Sequence, residues 1–439
     1  MKHSRIIEIL IAFVLFFLLI RNVFAEPANI QSTSVSLNIP SLIEYIKKNN
    51  ADILNAADNL KFTKYQIDET KSITRPSVNF TAGYARLKDE LYNSAFSSNY
   101  SYKISLQQPL FTYGQIESAI KIAEHYYKSS EKDYANTVKN ITLAASKMLY
   151  TIKLLHYQRE IFKASEKTFS EHCANVKARF DAGDATKVDF LNAKVNFEQI
   201  KPRIIEIDNK IQTLKNELKI MLNLDMKTEI VVTEEIKNKP EILKQFNTQD
   251  YYDKCLKGSE PLAKMNERLE ILKLQKKIAH NTLRPSIGLV TSFGGVSDLP
   301  GELITDPKKN AMIGINLNFP VFDGFKSRNQ VREFDVQIQT LERDISTLKN
   351  IILKNLETYA SNIIQYTKQI EADMYVNEQA EEAARVTFEN FQAGSSVNLD
   401  VIESEKNKLN AKISLITDNY YLLITLLDLK NLAGMELDK

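Results

Sequence analysis

Cysteine occurs twice in the 439 residues and histidine five times. Cys173 and Cys255 stand 82 positions apart and form no close-spaced metal or redox motif, so a disulfide is allowed in an exported chain but not implied. His172 beside Cys173 is the one pairing, and adjacent helix positions point in different directions, so no metal site is assigned there. No Gly-rich phosphate loop, His-Glu-x-x-His helix or nucleophile elbow is found, which argues against an enzyme and leaves no cofactor to expect. Charge of either sign is not in excess, with 57 basic against 55 acidic side chains. Nucleic acid, whose binders carry a basic stripe, is therefore excluded as a partner.

Long apolar runs are also lacking. Ile9 to Ile20 is apolar throughout, but twelve residues are too few to cross a bilayer as a helix. Lys2, His3 and Arg5 precede that run and Val23-Phe24-Ala25 follows it, so residues 1–25 read as a secretory signal peptide. The segment carries three of the basic residues and one of the acidic, so the mature chain is formally neutral. Beyond it no stretch reaches the ~18 apolar residues of a membrane helix. If this protein enters a membrane, it does so by strands.

What is present is a duplication. Arg75-Pro76-Ser77 returns as Arg284-Pro285-Ser286 at an offset of 209, and Pro109-Leu110-Phe111 returns as Pro320-Val321-Phe322 at 211. Phe180-Asp181-Ala182-Gly183 returns as Phe391-Gln392-Ala393-Gly394, and Asp189 as Asp400, again at 211. One offset with a two-residue change marks a repeated unit whose length varies in a loop. The organisation expected is a first repeat over 26–224, an inter-repeat belt segment over 225–250, and a second repeat over 251–439.

Within each unit lies a long seven-residue period. Ile120, Tyr127, Tyr134, Ile141, Met148, Leu155, Phe162, Phe169 and Val176 mark it in the first half. Val331, Ile338, Ile345, Ile352, Tyr359 and Tyr366 repeat it, until Asp373 breaks the register. Such a period predicts a coiled-coil seam. Gln115 to Arg179 holds neither Pro nor Gly and would be about 97 Å long as a helix. Pro202 predicts a break in the helix that returns from it.

Just before each long helix the period switches to two. Val78, Phe80, Ala82 and Tyr84, then Tyr100, Tyr102, Ile104 and Leu106, alternate with polar or small residues. Ile287, Leu289, Thr291 and Phe293, then Ile313, Ile315, Leu317 and Phe319, do the same in the second half. Each stretch has about the 9–11 residues of a tilted transmembrane strand, joined by long polar connections over Lys88–Asn99 and Ser297–Asn310. Proline at 76, 109, 285 and 320 is expected to mark the four helix–strand boundaries. Lipid tolerates no open sheet edge, and four strands are too few to close a barrel, so membrane insertion would require oligomerisation.

The order of these features resembles the TolC family of outer-membrane efflux and secretion channels. The residues that carry the likeness are Gln108-Pro109-Leu110-Phe111 with Gly114, Phe319-Pro320-Val321-Phe322-Asp323-Gly324, and the two Phe-x-Ala-Gly turns followed by Asp189 and by Leu399-Asp400-Val401. The opening segment Ser41-Leu42-Ile43-Glu44-Tyr45 is similar to the family's first helix. The resemblance implies a mainly α fold with a small β part: a homotrimer with twelve strands in one outer-membrane barrel and long helices forming a tunnel across the periplasm. It implies outer-membrane lipid, a periplasmic adaptor and an inner-membrane transporter as partners, in efflux or type I secretion. Adaptor docking falls on Ala182, Gly183 and Asp184 and on Ala393, Gly394 and Ser395; an acidic pore constriction falls on Asp400 and Glu403, with Asp189 beside them. The position where some channels of the family carry an arginine that ties the closed tip is Ser396 here, so no salt bridge between it and Asp189 can hold the tip. The competing expectation is an exported coiled-coil adaptor or adhesin that never enters the bilayer.

Overall fold

The computed structural model describes residues 34–88, 96–234 and 248–435; the signal peptide expected over 1–25 lies outside them. The chain opens with β1 (Ser34–Leu37), α1 (Ile39–Asn49) and α2 (Ala51–Ser72). Strands β2 (Ser77–Lys88) and β3 (Phe96–Phe111) lead into α3 (Gln115–Asp181), which returns as α4 (Lys187–Glu198) and α5 (Ile200–Met221). After β4 (Glu229–Val232) the pattern recurs: α6 (Thr248–Gly258), α7 (Glu260–His280), β5 (Ser286–Ser297), a short α8 (Glu302–Thr305), β6 (Lys308–Asn318), α9 (Lys326–Gln392) and α10 (Asn398–Leu432).

Both long helices contain 67 residues, about 100 Å at 1.5 Å per residue. Their ends, and those of the returning helices, coincide at the offset of 211 read from the sequence. The returning helices differ in one respect. Pro202 cannot donate to the carbonyl four residues back, and the helix breaks at Gln199; at the equivalent position Ile413 leaves α10 unbroken.

The second seam departs from the expected register earlier than Asp373. Ile345 and Ile352 are buried, but the buried row then runs through Leu356, Ile363, Ile370, Ala384 and Phe391. A four-residue step between Ile352 and Leu356 is a stutter, which locally unwinds a seven-residue seam. Tyr359, Tyr366, Asp373 and the buried Ala380 form the flanking row, so Asp373 stays within the seam as its one acid.

Midway along α3 the helices acquire a collar. Leu37, Leu42, Ile46, Ile53, Leu149, Ile152, Leu218 and Ile230 are at most 1 % exposed and form one core of α1, α2, α3, α5 and the paired strands β1 and β4. Those strands run parallel, with Ser34 opposite Glu229 and Leu37 opposite Val232. Of the expected belt segment 225–250, the structure therefore places one strand in this core and gives its last three residues to α6, while 235–247 lie outside the described residues.

The four remaining strands form one antiparallel sheet in the order β2-β3-β5-β6. They are longer than the alternating stretches suggested, 12, 16, 12 and 11 residues. Pairing extends to Lys88 opposite Phe96, so β3 starts inside the connection expected over Lys88–Asn99. Pro109 is a correction too: it lies inside β3, at a shift of register between Pro109 and Phe111 against β5. A residue without an N–H is tolerated in a paired strand where a bulge already interrupts the ladder.

Register makes each face continuous. Phe80, Ile104, Phe293 and Ala311 form one row across all four strands, and Val78, Leu106, Thr291 and Ile313 the next. On the other face Thr81, Lys103, Gly294 and Asn310 align, then Asn79, Ser105, Ser292 and Met312. The apolar rows are open to the surroundings, with Phe80 at 68 %, Ile313 at 80 % and Ile315 at 72 % exposure.

Candidate functional site at the helix tips

Both long helices end in the same device. Gly183 and Gly394 have φ of +87° and +80°, a left-handed conformation that an L side chain adopts only with strain. The amide of Asp184 donates to the Arg179 carbonyl at 2.8 Å, and that of Ser395 to the Asn390 carbonyl at 2.9 Å. These six-to-one bonds satisfy carbonyls that a helix end would leave unpaired. Ala182 and Ala393, the residues just before, keep ordinary helical angles and stand exposed, so the two turns present small residues outward.

The acids expected at the constriction begin the returning helices. Asp189 accepts from the Thr186 hydroxyl at 2.6 Å and the Thr186 amide at 3.1 Å, while its own amide donates to the Thr186 oxygen. Those hydrogen bonds, the hydroxyl's first, hold the Asp189 carboxyl below its usual range. Asp400 accepts from the Ser396 hydroxyl at 2.9 Å and the Val397 amide at 3.2 Å. Valine offers no acceptor in return, so this cap is one-sided. Ser396 is thus committed to Asp400 within its own turn. Glu403 lies one turn further on the same face, exposed, and borders an open recess with Asp400, Gln379, Ala383 and Asn407.

Three residues that carried no assignment bind the two hairpins together. Asn398, 5 % exposed, accepts from His172 Nε2 at 2.7 Å and donates to the Asp189 backbone carbonyl at 3.0 Å. This contact makes Nε2 the donor; burial first, and then Arg179, hold the His172 pKa below its ordinary value despite Asn398 and Glu405. Arg179 donates to the carbonyls of Phe391 at 3.0 Å and Gln392 at 3.3 Å, and lies 4.3 Å from the Phe391 ring centre. A cation on the last carbonyls of α9 also faces the negative end of that helix. Beneath these contacts Val176, Ala193, Phe391 and Val401, one from each of α3, α4, α9 and α10, form a single apolar cluster.

The signal for these residues lay in broken symmetry. His172, Arg179 and Asn398 have Ala383, Asn390 and Lys187 as their counterparts 211 positions away, so each polar tie is made once and joins one hairpin to the other. Replacing Asn398 with Leu keeps the volume but leaves the buried His172 Nε2–H without its acceptor and removes the bond to the Asp189 carbonyl, at a cost of about 1–3 kcal/mol. Amide hydrogen exchange at residues 182–190 and 395–400 is expected to quicken roughly 10–100-fold, with the collar core unchanged. Unaltered exchange at the tip would remove Asn398 from the tie.

A family model described as outer membrane efflux protein matches residues 42–224 and 251–435. Among curated relatives, the outer membrane protein TolC of Vibrio cholerae is 19 % identical over 424 residues, covering 90 % of each chain. The alkaline protease secretion protein AprF of Pseudomonas aeruginosa is 20 % identical over 79 % of this chain and 71 % of its own. Among solved structures, the Campylobacter jejuni CmeC outer membrane channel superposes with a TM-score of 0.79 at 16 % identity, covering 94 % of this chain and 92 % of that one. The Vibrio cholerae outer membrane protein VceC gives 0.78 at 17 %, covering 90 % and 96 %.

Proposed function

The chain belongs to the outer membrane efflux protein family, and from that premise we propose that three copies close into one duct running from the outer membrane across the periplasm. It is an outer-membrane channel protein of the kind that serves efflux and type I secretion, and the adaptor or adhesin alternative gives way to that assignment. The observation that carries the trimer is the sheet. Among the described residues β2 pairs only with β3 and β6 only with β5, which leaves two open edges on a sheet with one mainly apolar face. Hydrocarbon offers no partner to unpaired backbone groups, so in a bilayer β6 of one copy meets β2 of the next until the ring closes. Twelve strands satisfy that condition and lie within the range of outer-membrane barrels.

The apolar rows then face lipid, and the rows of Thr81, Lys103, Asn79 and Ser105 face the lumen. At the other end the exposed Ala-Gly turns receive a periplasmic adaptor, through which an inner-membrane transporter delivers cargo. Asp400 and Glu403 from three copies form an acidic ring in the narrow end, with Asp189 placed behind it. Such rings select cations and bind divalent ions. Asp400→Asn with Glu403→Gln keeps acceptors at the cap and removes six charges from the trimer. In planar bilayers under a salt gradient, the double variant should lose most of the zero-current potential that reports cation preference, and block by divalent cations should weaken. A potential equal to the parent's would return both acids to helix capping alone.

A further inference from the structure

The seam between α9 and α10 contains one layer built from two acids. Asp373 lies in the row of Tyr359, Tyr366 and Ala380, and Asp418 lies on α10 between the buried Ala411 and Thr425. Asp418 is 9 % exposed within a single protomer. Asp373 Oδ2 and Asp418 Oδ2 are both shut off from solvent, as is Asn377 Oδ1, one turn from Asp373, and none meets a donor among the described residues. Asp373 is the one side chain that acts on the Asp418 carboxyl, adding to burial in raising its pKa. Two ionised carboxylates supply acceptors only, so a hydrogen bond between them requires a proton on one.

The duplicated half shows what this layer replaces. At the offset of 211, Asp373 corresponds to Phe162 and Asp418 to Ile207, and those two belong to one apolar cluster. A hairpin of the same length is therefore built elsewhere in this chain with an apolar pair at this layer. Neighbouring ions are already matched: Lys412 to Glu381 at 2.7 Å, Lys368 to Glu371 at 2.8 Å, and on α3, beside the contact of Gln158 with Thr417, Arg159 to Asp208 at 2.5 Å. From α4, the contact with α10 is apolar, Ala193 against Val401. Among the described residues no cation is paired with either carboxyl oxygen.

We propose that Asp373 and Asp418 share one proton across the α9–α10 seam and make the second hairpin pH-responsive, tight while the proton is held and loosened when it leaves. The protonated Asp418 carboxyl donates to Asp373; on deprotonation the bond is lost and two like charges face each other in a buried layer. Burial, and then Asp373, push Asp418 up from 3.8 to about 6. Because the folded pKa lies above the unfolded one, the folded chain holds the extra proton between those values. The pair's contribution is thus greatest in acid, and it is lost as pH rises through about 6.

The test uses the full-length protein, purified and also in outer-membrane vesicles, with thermal unfolding followed from pH 5 to 8. Asp418→Asn keeps a donor aimed at Asp373 at every pH. Asp373→Phe with Asp418→Ile restores the pair found in the first repeat. The melting temperature of the parent, measured relative to either variant, should fall as pH rises toward about 6 and level off above it, leaving both variants the more stable at pH 7.5. Infrared difference spectra of the parent should show a protonated carboxyl lost over the same range and absent from Asp418→Asn. Parallel pH profiles for parent and variants would reduce the layer to a device for fixing helix register and overturn the proposal. So would a difference that follows added calcium or chelator and ignores pH, since the shared particle would then be a metal ion.

Discussion

Arginine in place of Ile104 is expected to remove the protein from the outer membrane almost entirely, whereas arginine in place of Ser105, the next residue along β3, is expected to assemble normally. Ile104 lies in the row of Phe80, Phe293 and Ala311, and Ser105 in the row of Asn79, Ser292 and Met312 on the opposite face. A basic side chain turned to hydrocarbon costs about 2–4 kcal/mol near the bilayer midplane, and a trimer incurs that cost three times, about 6–12 kcal/mol in all. That total is comparable to the stability of an ordinary folded domain, about 5–15 kcal/mol. Facing the lumen, the same side chain stays in water. The amount of trimer recovered from outer membranes, compared between Ile104→Arg, Ile315→Arg and Ser105→Arg at matched expression, decides it. Equal recovery of all three would mean that the apolar face does not meet lipid.

That contrast was legible before any coordinates, because alternation alone assigns residues to faces once a stretch is known to be a strand. The long helices were legible for a related reason: a seven-residue period held over nine successive positions leaves few alternatives. What escaped was local geometry. Pro109 reads as a terminator, yet the strand passes through it on a bulge. Asp373 reads as the end of a register, although the seam had already stepped four residues at Leu356 and Asp373 stays inside it. Asp189 and Asp400 were expected as pore acids, and in the protomer each first serves its own helix cap. A sequence gives no distance between positions 226 apart, so the bond from His172 to Asn398 could be inferred only as an asymmetry between repeats.

The tip ties change how the loss of the expected arginine should be read. With Ser396 turned to Asp400, the link between hairpins comes from the opposite hairpin, through Arg179 on the carbonyls of Phe391 and Gln392. Arg179 and Asn398 hold α3, α4, α9 and α10 in one arrangement around Phe391 and Val401, which in turn fixes the spacing of the two exposed Ala-Gly turns. A rigid, paired surface of small residues is what a partner could grip without clash.

Blocking that surface should abolish export while sparing assembly, and the choice of residue determines whether the result can be interpreted. Substituting Gly183 or Gly394 would strain a left-handed turn and confound docking with folding. Ala182 and Ala393 avoid this, since both have helical angles, stand exposed, and occupy helix C-termini where a cation is favourable. Ala182→Arg with Ala393→Arg therefore leaves the turns intact and places a bulky cation on each, six per trimer. A clash at the centre of an interface costs about 2–4 kcal/mol, or roughly 30–1000-fold in affinity, and here it would be imposed at every turn. Trimer recovery and single-channel conductance should match the parent, crosslinking to the periplasmic adaptor should disappear, and export by cells should fall to the level of a strain lacking the channel. Either single variant should show an intermediate defect if the two turns dock separately. Export at the parental rate by the double variant, with trimer levels equal, would show that the Ala-Gly turns are not where the partner binds.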